Sequence, residues 1–178
     1  NLTFGPMICQ ALKPHAKTPA GVAVPIDVHL MISPVDALAA SFAEAGADLI
    51  SLHVENANAA EGLSRIAAHG VKAGMVLRVE TPVAQAAPWL GRLDMLTLLG
   101  TAIGVKGQGL DASATARLQE AARLIAASGR RIVLAADGGI RDTTVPLLRQ
   151  AGAETVVMGS LAFGAPDLAD RMRWLHGL

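Results

Sequence analysis

The sequence predicts an α/β fold in which parallel strands are covered by helices. Six short apolar runs alternate along the chain with segments whose apolar residues recur at helical spacing. The runs are continuously apolar, which is typical of strands that are buried on both faces of a parallel sheet. Polar residues and glycines collect directly after these runs, at the position where the carboxyl ends of parallel strands meet.

Each predicted strand is followed by a predicted helix. Residues 1–14 give no clear pattern, and the strands are assigned to residues 25–31, 48–54, 72–77, 93–99, 131–135 and 154–158. The first helix is expected to open with Ser33 as its N-cap and Pro34 at its first position, and to end at Gly46. Asp111 is expected to cap the longest helix. The helices after the first are assigned to residues 59–69, 81–89, 111–128, 141–151 and 166–176.

Two architectures fit six βα units, an open doubly wound sheet and a (β/α)8 TIM barrel. No Gly-x-Gly-x-x-Gly motif follows the first strand, which counts against a dinucleotide-binding sheet. In a barrel all strand ends gather at one mouth, which suits the polar residues that follow the strands here. We therefore predict a single TIM-barrel domain over residues 1–178. Six of its eight units, strands 3 to 8, lie in this sequence, and strands 1 and 2 are expected upstream of Asn1.

The composition limits the classes of function. The 178 residues carry a formal net charge of zero, which gives no electrostatic footprint for nucleic acid. Cys9 is the single cysteine, so no internal disulfide is expected and a cytoplasmic location is favoured. Apolar stretches of about 18 residues without charge are missing, so no membrane span is expected. Apolar helices in a neutral chain favour a homo-oligomer.

The most informative motif is Asp137 followed by Gly138 and Gly139, directly after an apolar strand. The strand fixes the carboxylate, and glycines let backbone N–H groups approach a ligand because they have no Cβ. The first strand similarly carries His29 near its end. The motif predicts an enzyme with its chemistry at the strand ends. The structural alternatives are a histidine satisfied in the core and an aspartate that caps the next helix.

Several further motifs follow one another along nearly the whole chain. They are residues 1–6 (NLTFGP), 27–31 (DVHLM), 45–48 (AGAD) with 52–55 (LHVE), 74–77 (GMVL) with 80–83 (ETPV), 137–140 (DGGI) and 159–160 (GS). Together they resemble the ribulose-phosphate 3-epimerase family, which includes allulose-6-phosphate epimerase. The resemblance implies a TIM barrel that inverts the carbon beside a ketose-phosphate carbonyl. A base removes a proton, an acid on the other face returns one, and a divalent metal stabilises the enediolate between these steps.

The resemblance also implies roles for single residues. His29 matches a metal ligand of the third strand. Asp137 matches a metal ligand of the seventh strand that is also catalytic, because it moves a proton. The remaining His and Asp ligands belong to a His-x-Asp motif of the second strand, which is expected upstream of Asn1. The metal is zinc, iron, manganese or cobalt, since mixed histidine and aspartate ligands do not select strongly among them.

A sugar phosphate is the implied small-molecule partner. Its phosphate is expected beside backbone amides in the loops after the seventh and eighth strands, and the loop after the sixth strand is expected to close over the substrate. The residues predicted to bind substrate or phosphate are His29, Met31, Gly104, Val105, Lys106, Gly107, Gly138, Gly139, Gly159 and Ser160. Three further residues are expected to line the pocket, namely His53, Glu55 and Arg78.

Two segments depart from the family pattern. Residues 101–108 (TAIGVKGQ) lack the family's Asp-Pro pair and carry Lys106 in place of a glycine, and Arg78-Val79 stands where the family usually has Asn-Pro. These departures favour a sugar phosphate other than ribulose 5-phosphate itself. Two other classes stay open. One is a metal-free phosphate-binding isomerase or aldolase, which would usually need a lysine or glutamate at a strand end, and the other is a non-catalytic paralogue.

Overall fold

The computed structural model describes residues 3–104 and 107–178. The strands of this part of the chain form one sheet in sequence order, and the pairings of β1 with β2, β2 with β3 and β5 with β6 are parallel. The six predicted strands are thereby confirmed. They are β1 (Asp27–Leu30), β2 (Leu49–His53), β3 (Lys72–Leu77), β4 (Met95–Leu99), β5 (Val133–Asp137) and β6 (Thr155–Val157).

Helices follow the strands, as the sequence predicted. Two of them have no counterpart in the prediction: α1 lies within the unassigned residues 1–14, and α6 follows β6 directly. The α-helices are α1 (Pro6–Leu12), α2 (Asp36–Glu44), α3 (Ala59–Ala68), α4 (Ala114–Ser128), α5 (Val145–Gln150), α6 (Ser160–Phe163) and α7 (Leu168–His176), and the 3₁₀ segments are Lys13–His15 and Val83–Arg92.

The predicted start of the first long helix at Ser33 and Pro34 is wrong. α2 begins at Asp36, and Asn58, which precedes α3, supplies the polar group at its start. Asn58 Nδ2 donates to Asp36 Oδ1 at 2.5 Å, and Val35 N–H donates to Asn58 Oδ1 at 3.4 Å. The partner that fixes this helix start is 22 residues away from Asp36 in the sequence, so a local pattern does not reveal it.

The predicted starts of α4 and α5 are also too early. Asp111 does not cap α4 directly but accepts a hydrogen bond from Ser113 N–H at 2.8 Å, which makes a turn before the helix begins at Ala114. Thr144 Oγ1 likewise accepts from Arg141 N–H at 2.8 Å before α5 begins at Val145. In both cases a short polar side chain holds the backbone in a turn that the sequence pattern does not separate from a helix.

The chain forms two compact units. Unit 1 comprises Asn1–Val76 with Arg92–Met95, and unit 2 comprises Leu77–Gly91 with Leu96–Leu178. In unit 1 all five residues of β2 are buried, which confirms that this apolar run is covered on both faces. Unit 2 has its own core, whose least exposed large side chains include Leu96, Leu118, Leu134 and Leu148. In the described residues no helix has both the length and the apolarity that a membrane span requires.

One face of strands β1 and β2 carries three polar side chains, those of His29, Ser51 and His53. The register places His29 beside Ser51, and Ser51 beside Gly74. His53 lies on the same face, because side chains alternate along a strand. Ser51 is 2% exposed, and its Oγ has no hydrogen-bond partner among the described residues. A Cβ on Gly74 would overlap that oxygen, so glycine at this position makes room for the buried hydroxyl.

Gly74→Ala is expected to lower the free energy of unfolding by about 1–3 kcal/mol, the usual cost of overpacking a core. Ser51→Ala alone is expected to change it by less than about 1 kcal/mol, since the lost hydroxyl is unpartnered. The double variant Ser51→Ala/Gly74→Ala lacks the Oγ that the new Cβ at position 74 would overlap. That Cβ would still lie 3.0 Å from the Cβ of residue 51 and 3.2 Å from Leu49 Cδ2. Urea unfolding should therefore show partial recovery, and strictly additive costs would contradict this explanation.

Candidate active site

Two histidines and a glutamate at the carboxyl ends of β1 and β2 form the titratable cluster of unit 1, here called the His–His–Glu cluster. His29 Nε2 and His53 Nε2 are 2.9 Å apart, and the centroids of the two rings are 5.0 Å apart. His53 Nδ1 lies 3.3 Å from Glu55 Oε2. The His53 side chain is only 4% exposed and that of Glu55 is 22% exposed. His53 therefore contacts both His29 and Glu55, two other residues predicted to bind substrate or line the pocket.

His29 is held in its uncharged form. Burial, and secondarily the charge of His53, lower its pKa from 6.5 to about 4. At neutral pH the imidazole therefore keeps a lone pair, which is the form that binds a metal ion. This electrostatic state suits the ligand role predicted for His29.

A cavity of about 560 Å³ runs along β1 within unit 1. His29 and Met31 line it, and Met31 is 49% exposed just beyond the end of the strand. The other walls are mainly apolar and include Ile8, Leu12 and Phe42. Apolar walls do not complement a phosphorylated sugar, so the size of this cavity does not by itself mark a substrate site.

Asp137 is the last residue of β5, in unit 2. Its carboxyl is half-buried, and this burial raises its pKa, while a hydrogen bond from Gly138 N–H acts in the opposite direction and is weaker. Its backbone carbonyl accepts from Gly100 N–H at 2.6 Å, which ties the end of β5 to the end of β4. A fixed carboxyl whose pKa is raised is a suitable proton acceptor and donor.

The two glycines after Asp137 are required by packing. Gly138 and Gly139 both have positive φ, 89° and 69°. A Cβ on Gly138 would overlap Thr101 Oγ1, and a Cβ on Gly139 would lie 2.8 Å from the Cα of Leu110. The loop after β4 therefore crosses the loop after β5 too closely for any side chain. This contact explains the glycines without a ligand, and their role in phosphate binding stays a prediction.

The remaining predicted residues that the structure describes lie in unit 2, and each follows a strand, as expected. Arg78 comes directly after β3 and is exposed. Gly104 and Gly107 are exposed in the loop after β4, with φ of 81° and 78°. Gly159 and Ser160 are exposed at the start of α6. Val105 and Lys106 lie outside the described residues.

Sequence reasoning missed Arg117, on α4, as the residue that holds the loop after β3. Its Nη2 donates to the carbonyl of Arg78 and its Nη1 to that of Thr81, each at 2.7 Å, and Nη1 also contacts the carbonyl of Val79. The guanidinium thereby fixes the backbone beside a predicted pocket residue. An arginine on a helix gives no sequence signal for such a contact, because it is usually a solvated side chain.

The predicted metal ligands His29 and Asp137 are residue types that bind divalent metal ions. The structure shows no larger group of potential ligands among the described residues. No group of three or more His, Cys, Asp or Glu side chains within residues 3–104 and 107–178 is arranged to hold a metal ion. A neutral imidazole from His29 and a carboxylate from Asp137 are both suitable donors for zinc, iron, manganese or cobalt.

The sequence model of the Ribulose-phosphate 3 epimerase family matches residues 1–163. The chain is 41% identical over 172 residues to ribulose-phosphate 3-epimerase 2 of Cupriavidus necator. This alignment covers 94% of the chain and 69% of that protein. The chain is also 36% identical over 177 residues to the ribulose-phosphate 3-epimerase of Escherichia coli K12. That alignment covers 97% of the chain and 76% of the relative. The relationship therefore extends over nearly the whole sequence.

Solved structures with the same fold are more distant in sequence. The 3-hexulose-6-phosphate synthase from Salmonella typhimurium superposes with a TM-score of 0.74 at 17% identity, over 97% of this chain and 78% of that one. The 3-keto-L-gulonate-6-phosphate decarboxylase from Vibrio cholerae O1 biovar El Tor superposes with a TM-score of 0.71 at 15% identity. The superposition covers 97% of this chain and 77% of that one. At such identities the likeness concerns the fold alone, and it confirms the predicted α/β barrel class.

The fold, the carboxyl and imidazole groups at the strand ends and these relatives together define an enzyme of the isomerase class, an epimerase. The chain belongs to the ribulose-phosphate 3-epimerase family. The family resemblance inferred from the motifs is thereby confirmed.

Proposed function

We propose that this chain catalyses the metal-dependent 3-epimerisation of a ketose phosphate. The observation that carries this proposal is Asp137, a half-buried carboxyl of raised pKa at the end of β5, in a chain that the epimerase family matches from residue 1 to residue 163. The ribulose-phosphate named for the relatives supports a pentulose phosphate or a close analogue as substrate.

Asp137 moves the proton. Its carboxylate takes the proton from carbon 3, beside the ketose carbonyl, and in the reverse direction the carboxylic acid returns it. Burial favours this exchange, because a carboxylate of raised pKa is a stronger base than an exposed one. The proton on the opposite face requires a second acid, and the enediolate formed between the two transfers requires charge stabilisation.

His29 and Asp137 would hold the divalent metal. When bound, the metal supplies the positive charge that stabilises the enediolate oxygens. His29 suits this role because its pKa of about 4 keeps the imidazole uncharged in the neutral range.

The phosphate is proposed to bind at the loops of unit 2. Backbone amides at Gly138, Gly139, Gly159 and Ser160 are the proposed donors, with Gly104 and Gly107 in the covering loop. The exposed Arg78 at the end of β3 adds a positive charge where the family usually has asparagine. This difference favours a substrate with a polar or acidic group that a guanidinium recognises.

Deuterium wash-in at carbon 3 tests the proposal. Ribulose 5-phosphate, allulose 6-phosphate and other ketose phosphates are incubated with the protein in D₂O and followed by NMR. We expect carbon-3 exchange together with formation of the epimer for at least one of them. Chelator should abolish exchange, and added zinc, iron, manganese or cobalt should restore it. Full activity in chelator contradicts metal dependence, and exchange with none of the substrates in the presence of metal contradicts the epimerase.

A further inference from the structure

We propose that three carboxylates hold the starts of the strands together in pairs, and that each of them limits the local opening of its own pair. The carboxylates belong to the residues that directly precede β2, β4 and β6, which are Asp48, Asp94 and Glu154. Apolar residues precede β1, β3 and β5, namely Ile26, Val71 and Ile132. An acidic residue therefore comes before every second strand. This inference is independent of the proposed function, because it concerns the protein without metal or substrate.

Each carboxylate closes a ring of two hydrogen bonds with the strand before it, here called a carboxylate latch. In the first latch, Ile26 N–H donates to Asp48 Oδ2 at 2.7 Å, and Asp48 N–H donates back to the carbonyl of Ile26 at 2.9 Å. In the second, Ala73 N–H donates to Asp94 Oδ2 at 2.9 Å, and Asp94 N–H donates back to the carbonyl of Ala73 at 2.8 Å. Both of these latches lie within unit 1.

The third latch lies within unit 2 and has the same geometry. Leu134 N–H donates to Glu154 Oε1 at 3.2 Å, and Glu154 N–H donates back to the carbonyl of Leu134 at 2.8 Å. The arrangement thus recurs with both acidic residue types and in separate parts of the chain. This recurrence indicates a feature of the strand pairs and not of one local contact.

A latch supplies an acceptor at the point where a strand pair begins. Asp27 pairs with Leu49, and Ala135 pairs with Thr155, so these latched residues lie directly before the paired ones. Here the amide bonds to a side chain, whereas amides further along a strand bond to the carbonyls of the ladder. A backbone amide without an acceptor costs about as much as a lost hydrogen bond, and a carboxylate binds it more strongly than a neutral carbonyl does. Loss of a latch should therefore make its strand pair open more readily.

The latches of Asp48 and Glu154 hold the outermost strands of the described sheet. β1 and β6 stand at the two ends of the strand order and have only four and three residues. Short outer strands open locally at low cost, because few hydrogen bonds hold them. The effect of a lost latch should therefore be largest in these two strands.

Two of the latches also carry a cation. Lys13 Nζ donates to Asp48 Oδ2 at 2.6 Å, and Arg131 donates to both carboxylate oxygens of Glu154, at 3.0 Å and 2.6 Å. The side chains of Lys13 and Asp48 are 42% and 38% exposed, and ion pairs at such exposure stabilise a fold only slightly. The hydrogen bonds from Lys13 and from Ile26 N–H hold the pKa of Asp48 below its usual range, so the carboxylate stays ionised at neutral pH. The strand amide is thus the partner through which the latch acts.

Amide hydrogen exchange, followed by NMR on the protein without metal, tests the latches. In the native protein the amides of Ile26, Ala73 and Leu134 should exchange about a hundredfold more slowly than in an unstructured peptide. Asp48→Ala should raise the exchange rates of the β1 amides about 10–100-fold, the loss expected for a hydrogen bond to a charged group, and leave those of β6 within about threefold. Glu154→Ala should have the reverse effect.

Two milder variants separate the amide bond from the ion pair. Asp48→Asn keeps an oxygen that accepts from Ile26 N–H, and Lys13→Met removes only the cation. Each should raise exchange in β1 by about fivefold or less. Exchange of all three latched amides at the rate of an unstructured peptide in the native protein overturns the inference, even if no variant folds.

Three results with the variants also contradict it. An unchanged β1 in Asp48→Ala shows that the latch limits nothing. Equal acceleration of β1 and β6 in that variant indicates global destabilisation in place of control of one strand pair. An acceleration in Lys13→Met as large as in Asp48→Ala assigns the effect to the ion pair.

Discussion

Asp137→Asn is expected to lower kcat/KM for the epimerised ketose phosphate by about a thousandfold, which corresponds to about 4 kcal/mol of transition-state stabilisation. The asparagine amide has nearly the same shape as the carboxylate but takes no proton at the pH of the reaction. General base catalysis by a positioned side chain typically contributes 10²–10⁴-fold, so this loss is what removal of a single base should cause. Initial rates and carbon-3 deuterium exchange should fall together.

The loop that follows Asp137 offers a matched control. Asp142 is exposed, and its Oδ1 accepts a local hydrogen bond from Thr143 N–H at 2.9 Å. Asp142→Asn removes the same charge from unit 2 and should leave kcat/KM within about twofold. Thermal unfolding of both variants shows whether the fold is retained. Asp137 is not the base if Asp137→Asn folds and keeps more than about a tenth of the native activity.

The strands of this fold could be predicted from the sequence because burial leaves a local signature. Residues 48–54 form a nearly continuous apolar run, and all five residues of β2 (Leu49–His53) within it are buried. The helix starts could not be predicted in the same way, because their polar partners are remote. Asn58 fixes the start of α2 from a position that is 22 residues after Asp36. Periodicity reports which face is covered and carries no information about such partners.

In the candidate site, too, features with a local sequence signal could be predicted, and contacts with remote partners could not. Asp137 and His29 could be singled out because each lies at or near the end of an apolar run, next to a recognisable motif. The contact between His29 and His53 was not predicted, since it depends on the register of β1 against β2 across 24 residues. Arg117 was missed for a related reason, because its partners are backbone carbonyls 36 to 39 residues earlier.

The glycines after Asp137 show that one sequence signal can have two causes. Their position after a strand suggested amides that approach a phosphate, and the structure shows in addition a crossing of two loops that excludes any side chain. The Leu110 backbone beside Gly139 is itself fixed, because the next amide, Asp111 N–H, donates to Gly100 O at 2.8 Å. The free energy of unfolding lost when a methyl group is added at Gly139 measures how rigidly the two loops are held where they cross.

Gly139→Ala is expected to lower the free energy of unfolding by about 3 kcal/mol. About 1 kcal/mol of this comes from placing alanine at a φ of 69°. The rest comes from overpacking, because the new Cβ would lie 2.8 Å from Leu110 Cα and 3.0 Å from Leu110 N, and backbone atoms cannot rotate away. Urea unfolding measures the loss.

Gly129→Ala is the matched control in the same unit. Gly129 ends α4 with a φ of 66°, and a Cβ there would meet no heavy atom within 4 Å. The backbone strain is therefore nearly equal in the two variants, and only the collision with Leu110 differs. Gly129→Ala should cost about 1 kcal/mol. Equal losses in the free energy of unfolding at the two positions would show that the loops shift at little cost to admit a Cβ at Gly139. Packing would then no longer explain the glycine, and contact of its amide with a ligand would be the better explanation.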